Sequence, residues 1–131
     1  MCIFCKIINN EIPSKKVYED EDVLAILDIS QANKGHTLVM PKKHYENILD
    51  IDNNIYLKVM EVAKKVALKQ KQALNCEGIN LLNNCGEVAG QSVMHFHVHL
   101  IPRNKEDEIK FQFKDNSNKF DLDEVLKMVK L

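Results

Sequence analysis

A chain of 131 residues that is 45% hydrophobic and 28% charged has the content of one domain, burying a single core without staples. Its formal charge of -1 excludes the broad basic field that nucleic-acid polymers select. The opening Met1-Cys2-Ile3-Phe4-Cys5-Lys6 lacks a basic run, a long apolar stretch and a cleavage site, so neither a secretory signal nor a membrane span is expected, and the cytoplasm is the expected compartment.

Taken in chain order, residues 3–9 read as a short helix ended by Asn9-Asn10, and Pro13 begins a passage into extended chain. Residues 16–19 and 22–28 read as paired strands around an acidic turn. Gly35 precedes a third strand, 36–40, rich in apolar and β-branched residues, which stops by Pro41 or becomes an edge there. From about Asp52, Ile55, Val59, Val62, Val66, Ala73 and Leu74 recur at the spacing of an amphipathic helix lying on a sheet. Residues 78–82 and 94–101 supply two further strands, separated by the turn-rich loop 83–90. Beyond Pro102 the chain is polar until Asp121, which with Glu124 resembles a capping box opening a final helix through Leu131. Five strands, one long helix and short terminal helices make an α+β domain over residues 1–131, with 104–131 as a carboxyl-terminal extension.

In the last strand His95, His97 and His99 alternate with Phe96, Val98 and Leu100, so the imidazoles share one face and the apolar residues the other. Alternate residues lie roughly 6.6 Å apart, where two imidazolium charges repel by about 2.5 kcal/mol at an effective dielectric near 20. A mixed protonation state is therefore expected, in which one unprotonated ring acts as nucleophile or base while another donates to an anion. A nucleophilic ring needs its second nitrogen fixed by an acceptor, and the loop 83–92 is the expected source of that carbonyl. Two other readings of the spacing stay open: structural histidines with satisfied hydrogen bonds, and a zinc site with an open position for water. The four cysteines, Cys2, Cys5, Cys76 and Cys85, favour a metal site or buried thiols over a disulfide framework in a reducing compartment.

The run His95-Phe96-His97-Val98-His99-Leu100-Ile101 resembles the H-x-H-x-H signature of the histidine triad superfamily. Segments 90–93, 34–44, 25–29 and 2–8 are similar to its nucleotide-binding branch of bacterial type, so the resemblance covers residues 2–103. It implies a five-stranded antiparallel sheet per subunit, joined to a second sheet across a homodimer. It also implies a purine nucleotide ligand of the AMP type and cleavage of the bond between the α-phosphate and its leaving group, through a nucleotidyl-histidine, with no metal needed for the chemistry. On this sequence the resemblance makes His97 the nucleophile and gives the phosphate oxygens to His99 and His36. It sets Ser92 near the scissile bond with Gln91 beside it, Asn84 near phosphate and ribose, and Asp28 on the ribose hydroxyls. Ile3, Phe4, Ile7, Leu27 and Ile29 would wall the slot for the base. Cys2, Cys5, His44 and His95 match the four ligands of a structural zinc held by some bacterial-type relatives, and Cys76 and Cys85 read as small apolar residues.

The extension departs from the eukaryotic-type phosphoramidases, which usually stop soon after the triad. In related branches this segment contributes near the active site of the dimer partner, so either Arg103 or residues 111–114 touch a leaving group, or the extension is a strand and helix covering sheet surface. The expected activity is hydrolysis of purine nucleoside phosphoramidates or related 5'-phosphate conjugates. Its rivals are a dinucleoside polyphosphate hydrolase, a zinc hydrolase built on the triad, and a nucleotide-sensing or scaffold protein with incidental turnover.

Overall fold

Alternation decides the layers. A computed structural model describes residues 1–131 as α1 (Ile3–Ile8), β1 (Lys16–Glu19), β2 (Val23–Leu27), β3 (Thr37–Pro41), α2 (Asn53–Leu74), β4 (Gly78–Leu82), β5 (Val98–Arg103) and α3 (Leu122–Val129). The strands form one antiparallel sheet in the order β1-β2-β3-β5-β4, the expected α+β architecture. In β2 and β3, Val23, Ala25 and Val39 point to one face, and Leu24, Ile26, Leu38 and Met40 to the other. The first set packs with Val59, Val62, Ala63 and Val66 of α2, and the second with Phe4 and Ile7 of α1. No helix is long and apolar enough to cross a membrane.

Local chemistry sets the boundaries. Asp20 Oδ1 accepts from the amides of Asp22 and Val23, both at 2.8 Å, and turns β1 into β2. Asp52 caps α2 by accepting from the amides of Asn54 and Ile55. The left-handed Asn75, with φ of 51°, ends that helix. Asp121 caps α3 by accepting from the amides of Asp123 and Glu124, so the expected helix start holds.

Gly35, at φ 93°, turns the chain into β3 immediately before His36, and a Cβ there would collide with Leu74 Cδ1 at the end of α2. Gly35→Ala is therefore expected to cost about 1–3 kcal/mol through backbone strain alone. Urea unfolding measures it, and an unchanged midpoint would contradict it.

Candidate functional site

The histidine row lies on the α1 face of the sheet. Phe96, Val98 and Leu100 enter the core with α2, so alternation sends the three imidazoles the other way. The edge of Phe4 meets the rings of His95 and His97 with centroids 6.0 and 5.0 Å apart. The ladder itself is shorter than expected, because β5 begins at Val98 and not at Met94. Upstream of Val98 the backbone is held by loops: Phe96 N donates to Tyr45 O at 2.7 Å, and Asn83 Nδ2 donates to His97 O at 2.8 Å.

Hydrogen bonds assign the ring nitrogens. His97 Nδ1 lies 2.7 Å from His95 O, and a carbonyl only accepts, so Nδ1 carries the proton and Nε2 the lone pair. The acceptor is thus the carbonyl two residues back and not one from the loop 83–92, which instead donates through Asn83. Ala32 N donates to His36 Nδ1 at 3.1 Å, which leaves the proton of that ring on Nε2, 2.9 Å from His99 Nδ1. His99 therefore accepts at Nδ1 and carries its own proton on Nε2.

Burial lowers the pKa of all three rings, His36, His97 and, to about 4, His99, where the charges of His97 and His36 push the same way. The nearby Asp28 carboxylate, 3.5 Å from His36 Nε2, opposes the shift without cancelling it. The expected mixed protonation state is therefore replaced by neutral rings that divide donor and acceptor roles by tautomer.

These shifts have a sign. An unfolded histidine takes up its proton near pH 6.5, while folded His99 refuses it until about 4, so stability is complete above the first value and is lost as pH falls toward the second. The melting temperature is expected to be flat from about pH 7 to 8 and to fall below about 6.5, with a shallower fall in His99→Asn. A fall of equal steepness in that variant would contradict the assignment.

Beside the row lies a cavity of about 350 Å³ lined by Ile3, Phe4, Ile7, Leu27, Asp28, Ile29, Ser92, His97 and His99. Leu27, Ile3 and Ile29 are 38, 48 and 99% exposed, so they form an aliphatic rim in water and are not core residues. Ser14, Ser30 and Leu38 also line it. Sequence reading passed over them; only the β-period of Leu38 with Met40 carried a signal. Asp28 Oδ1 accepts from Ser30 N at 2.8 Å, which turns the chain beneath the rim.

Three expected site residues are not cavity walls. Gln91 is buried with both ends engaged, donating to Glu46 O at 2.7 Å and accepting from Gly86 N at 2.8 Å, so it braces the loop. Asn84 donates to Gly90 O at 3.3 Å and does not line the cavity. His36 stands behind His99 and reaches the cavity through it.

A second cluster sits at the start of α1. The Nδ1 atoms of His44 and His95 are 3.1 Å apart, Cys5 Sγ lies 3.4 and 3.6 Å from them, and Cys2 Sγ lies 3.5 Å from His95 Nδ1. The edges of a tetrahedral two-sulfur, two-nitrogen zinc shell are about 3.3–3.6 Å for the same atom pairs, given its bond lengths. His95 Nε2 donates to Pro41 O at 2.8 Å, so Nδ1 is the free donor aimed at the cluster. The four residues Cys2, Cys5, His44 and His95 therefore fit a closed structural zinc. Asp28, His36 and His99 also gather three donors, but His36 is fixed by Ala32 N on one nitrogen and bonded to His99 on the other. That cluster is a hydrogen-bond relay.

Within one chain the extension neither lines the cavity nor buries a helix face. Arg103 is tied to Asp107 and Asn80, both at 2.7 Å, and lies against the ring of Phe111, away from the cavity. Helix α3 buries no residue, and Leu122, Leu126 and Val129 are exposed, so it covers no sheet surface within the chain. Residues 104–121 form no strand.

The HIT domain family model matches residues 9–106. A HIT-like protein of Methanocaldococcus jannaschii is 52% identical over 130 residues, 99% of each chain. An adenosine 5'-monophosphoramidase of Saccharomyces cerevisiae is 42% identical over 105 residues, 80% of this chain and 64% of the yeast protein. A HIT family protein from Bacillus anthracis superposes with a TM-score of 0.90 at 48% identity, covering 97% of this chain and 91% of the other. A zinc-bound histidine triad family protein from Mycobacterium smegmatis gives 0.79 at 34% identity, covering 90% and 86%.

Proposed function

This chain belongs to the HIT domain family, and from that premise we propose that it hydrolyses purine nucleoside 5'-phosphoramidates or related nucleoside 5'-phosphate conjugates through a nucleotidyl intermediate on His97. The observation that carries the reading is the bond from His97 Nδ1 to His95 O, which leaves an Nε2 lone pair facing a cavity with an aliphatic rim and one carboxylate. Nε2 attacks the α-phosphorus, the bond to the leaving group breaks, and its electron pair departs with the leaving atom, which takes a proton from solvent water. His99 Nε2–H donates to a phosphoryl oxygen, and Ser92 lies along the leaving path. Asp28 accepts from the ribose hydroxyls, and the rim of Ile3, Leu27 and Ile29 covers the base. Water then attacks phosphorus and gives up a proton to solvent, the bond from phosphorus to His97 Nε2 breaks with its electron pair returning to the ring, and the monophosphate leaves.

Cys2, Cys5, His44 and His95 would hold a structural zinc that ties α1 to the sheet, and with four protein donors such a site would leave no position for substrate or water. In the cytoplasm those thiols stay reduced and able to ligate. A second copy of the chain covers the open edge of β4 and the apolar residues of α3, giving a homodimer.

The test is intact-protein mass spectrometry after brief mixing with adenosine 5'-phosphoramidate, quenched so that acid-labile phosphoramidates survive. One added adenylyl group is expected on wild type. No mass gain together with no released monophosphate would overturn the enzyme reading. Turnover of a diadenosine polyphosphate faster than of the phosphoramidate would move the assignment to the polyphosphate hydrolases.

A further inference from the structure

We propose that Gln31, an exposed residue outside the cavity, is a positioning residue that fixes the tautomers of His36 and His99 through the Ala32 amide. The inference rests on the proposed hydrolysis only for its kinetic consequence. Its structural content stands on the hydrogen bonds of the loop between β2 and β3.

The carboxamide of Gln31 closes this loop on itself. Nε2 donates to the carbonyls of Asp28 and His36, at 2.5 and 2.8 Å, and Oε1 accepts from Gly35 N at 2.8 Å. Both ends of the 28–36 segment are thus bonded to one side chain, which sits immediately before Ala32. The Ala32 amide, so placed, donates to His36 Nδ1. A backbone N–H has a fixed sense, so its direction decides the tautomer behind it: His36 protonated at Nε2, His99 protonated at Nε2, and that last N–H presented to the cavity. If the loop relaxed and the Ala32 amide moved away, His36 would be free to carry its proton on Nδ1. Its Nε2 would then accept from His99 Nδ1, and His99 would turn a lone pair toward the phosphoryl oxygens in place of a donor. Two acceptors would face each other at the point where negative charge accumulates.

Gln31→Met keeps the length and apolar stem of the side chain and removes all three bonds, so it separates the relay from bulk. Two readouts decide the matter. Long-range nitrogen–proton spectra of the imidazoles are expected to show His36 and His99 as single Nε2–H tautomers in wild type and as mixtures in Gln31→Met, with the remaining spectrum preserved. With adenosine 5'-phosphoramidate, kcat is expected to fall about tenfold or more while KM stays within about twofold, because the bond at issue strengthens as phosphoryl charge develops. Unchanged tautomers overturn the proposal whatever the rates do. Shifted tautomers with unchanged kcat overturn the catalytic role of Gln31. If wild type fails to turn over, the hydrolase reading falls, and the spectra alone still accept or reject the relay.

Discussion

His97→Ala is expected to lower kcat for adenosine 5'-phosphoramidate by about a thousandfold or more, since the variant has no atom to form the phosphorus–nitrogen bond. Affinity for adenosine monophosphate should change only a few-fold, because the rim of Ile3, Leu27 and Ile29 and the Asp28 carboxylate stay in place. The contrast is the diagnostic part. A group that merely filled the cavity wall would weaken binding and turnover together, whereas a nucleophile costs turnover alone. Single-turnover kinetics and titration calorimetry on the same preparation measure the two numbers. Retention of a tenth of wild-type kcat would mean that water attacks directly, and the covalent route would be wrong.

Metal removal should produce the opposite pattern. Chelation, or the pair Cys2→Ser and Cys5→Ser, is expected to lower stability by roughly 3 kcal/mol, a fall of about 10 °C in melting temperature for a domain of this size. The full free energy of a structural zinc is not lost, because Phe4 and Ile7 are buried against Leu24, Ile26, Leu38 and Met40, and each such side chain contributes about 1.5–3 kcal/mol. Helix α1 therefore stays docked without the ion. The kcat of the folded fraction should stay within about twofold of the untreated protein. Loss of turnover in protein that remains folded would assign the metal a catalytic role and overturn the division between the two clusters.

Most of the architecture was legible because it rests on periodicity. The stripe of Val59, Val62 and Val66 specified α2, and the acidic turn before the apolar run Val23–Leu27 specified the β1–β2 pair. The four zinc-type donors were legible only through resemblance, since Cys5 is separated in sequence by 39 and 90 residues from His44 and His95, and Cys2 by 93 from His95. Ring tautomers were not legible, because they depend on where the Ala32 amide and the His95 carbonyl point in space. The partners of Gln91 were not legible for a related reason: a buried amide that braces a loop and one that binds a ligand are the same letter, and its bonds to Glu46 and Gly86 appear only in space. The packing of the extension was not legible, because capping chemistry fixes where α3 begins but carries no information on what the helix packs against.

The segment from His95 to Val98 gives successive side chains to two opposite destinations: His95 to the sulfur cluster, Phe96 to the core under α2, His97 to the cavity, and Val98 again to the core. Inserting or deleting one residue there would swap every destination at once, driving an imidazole into the hydrocarbon interior and Phe96 into water. The neighbouring loop 83–92, whose backbone pairs with no strand, carries no such parity. Of the two segments, the triad is therefore the one in which a change of length costs more.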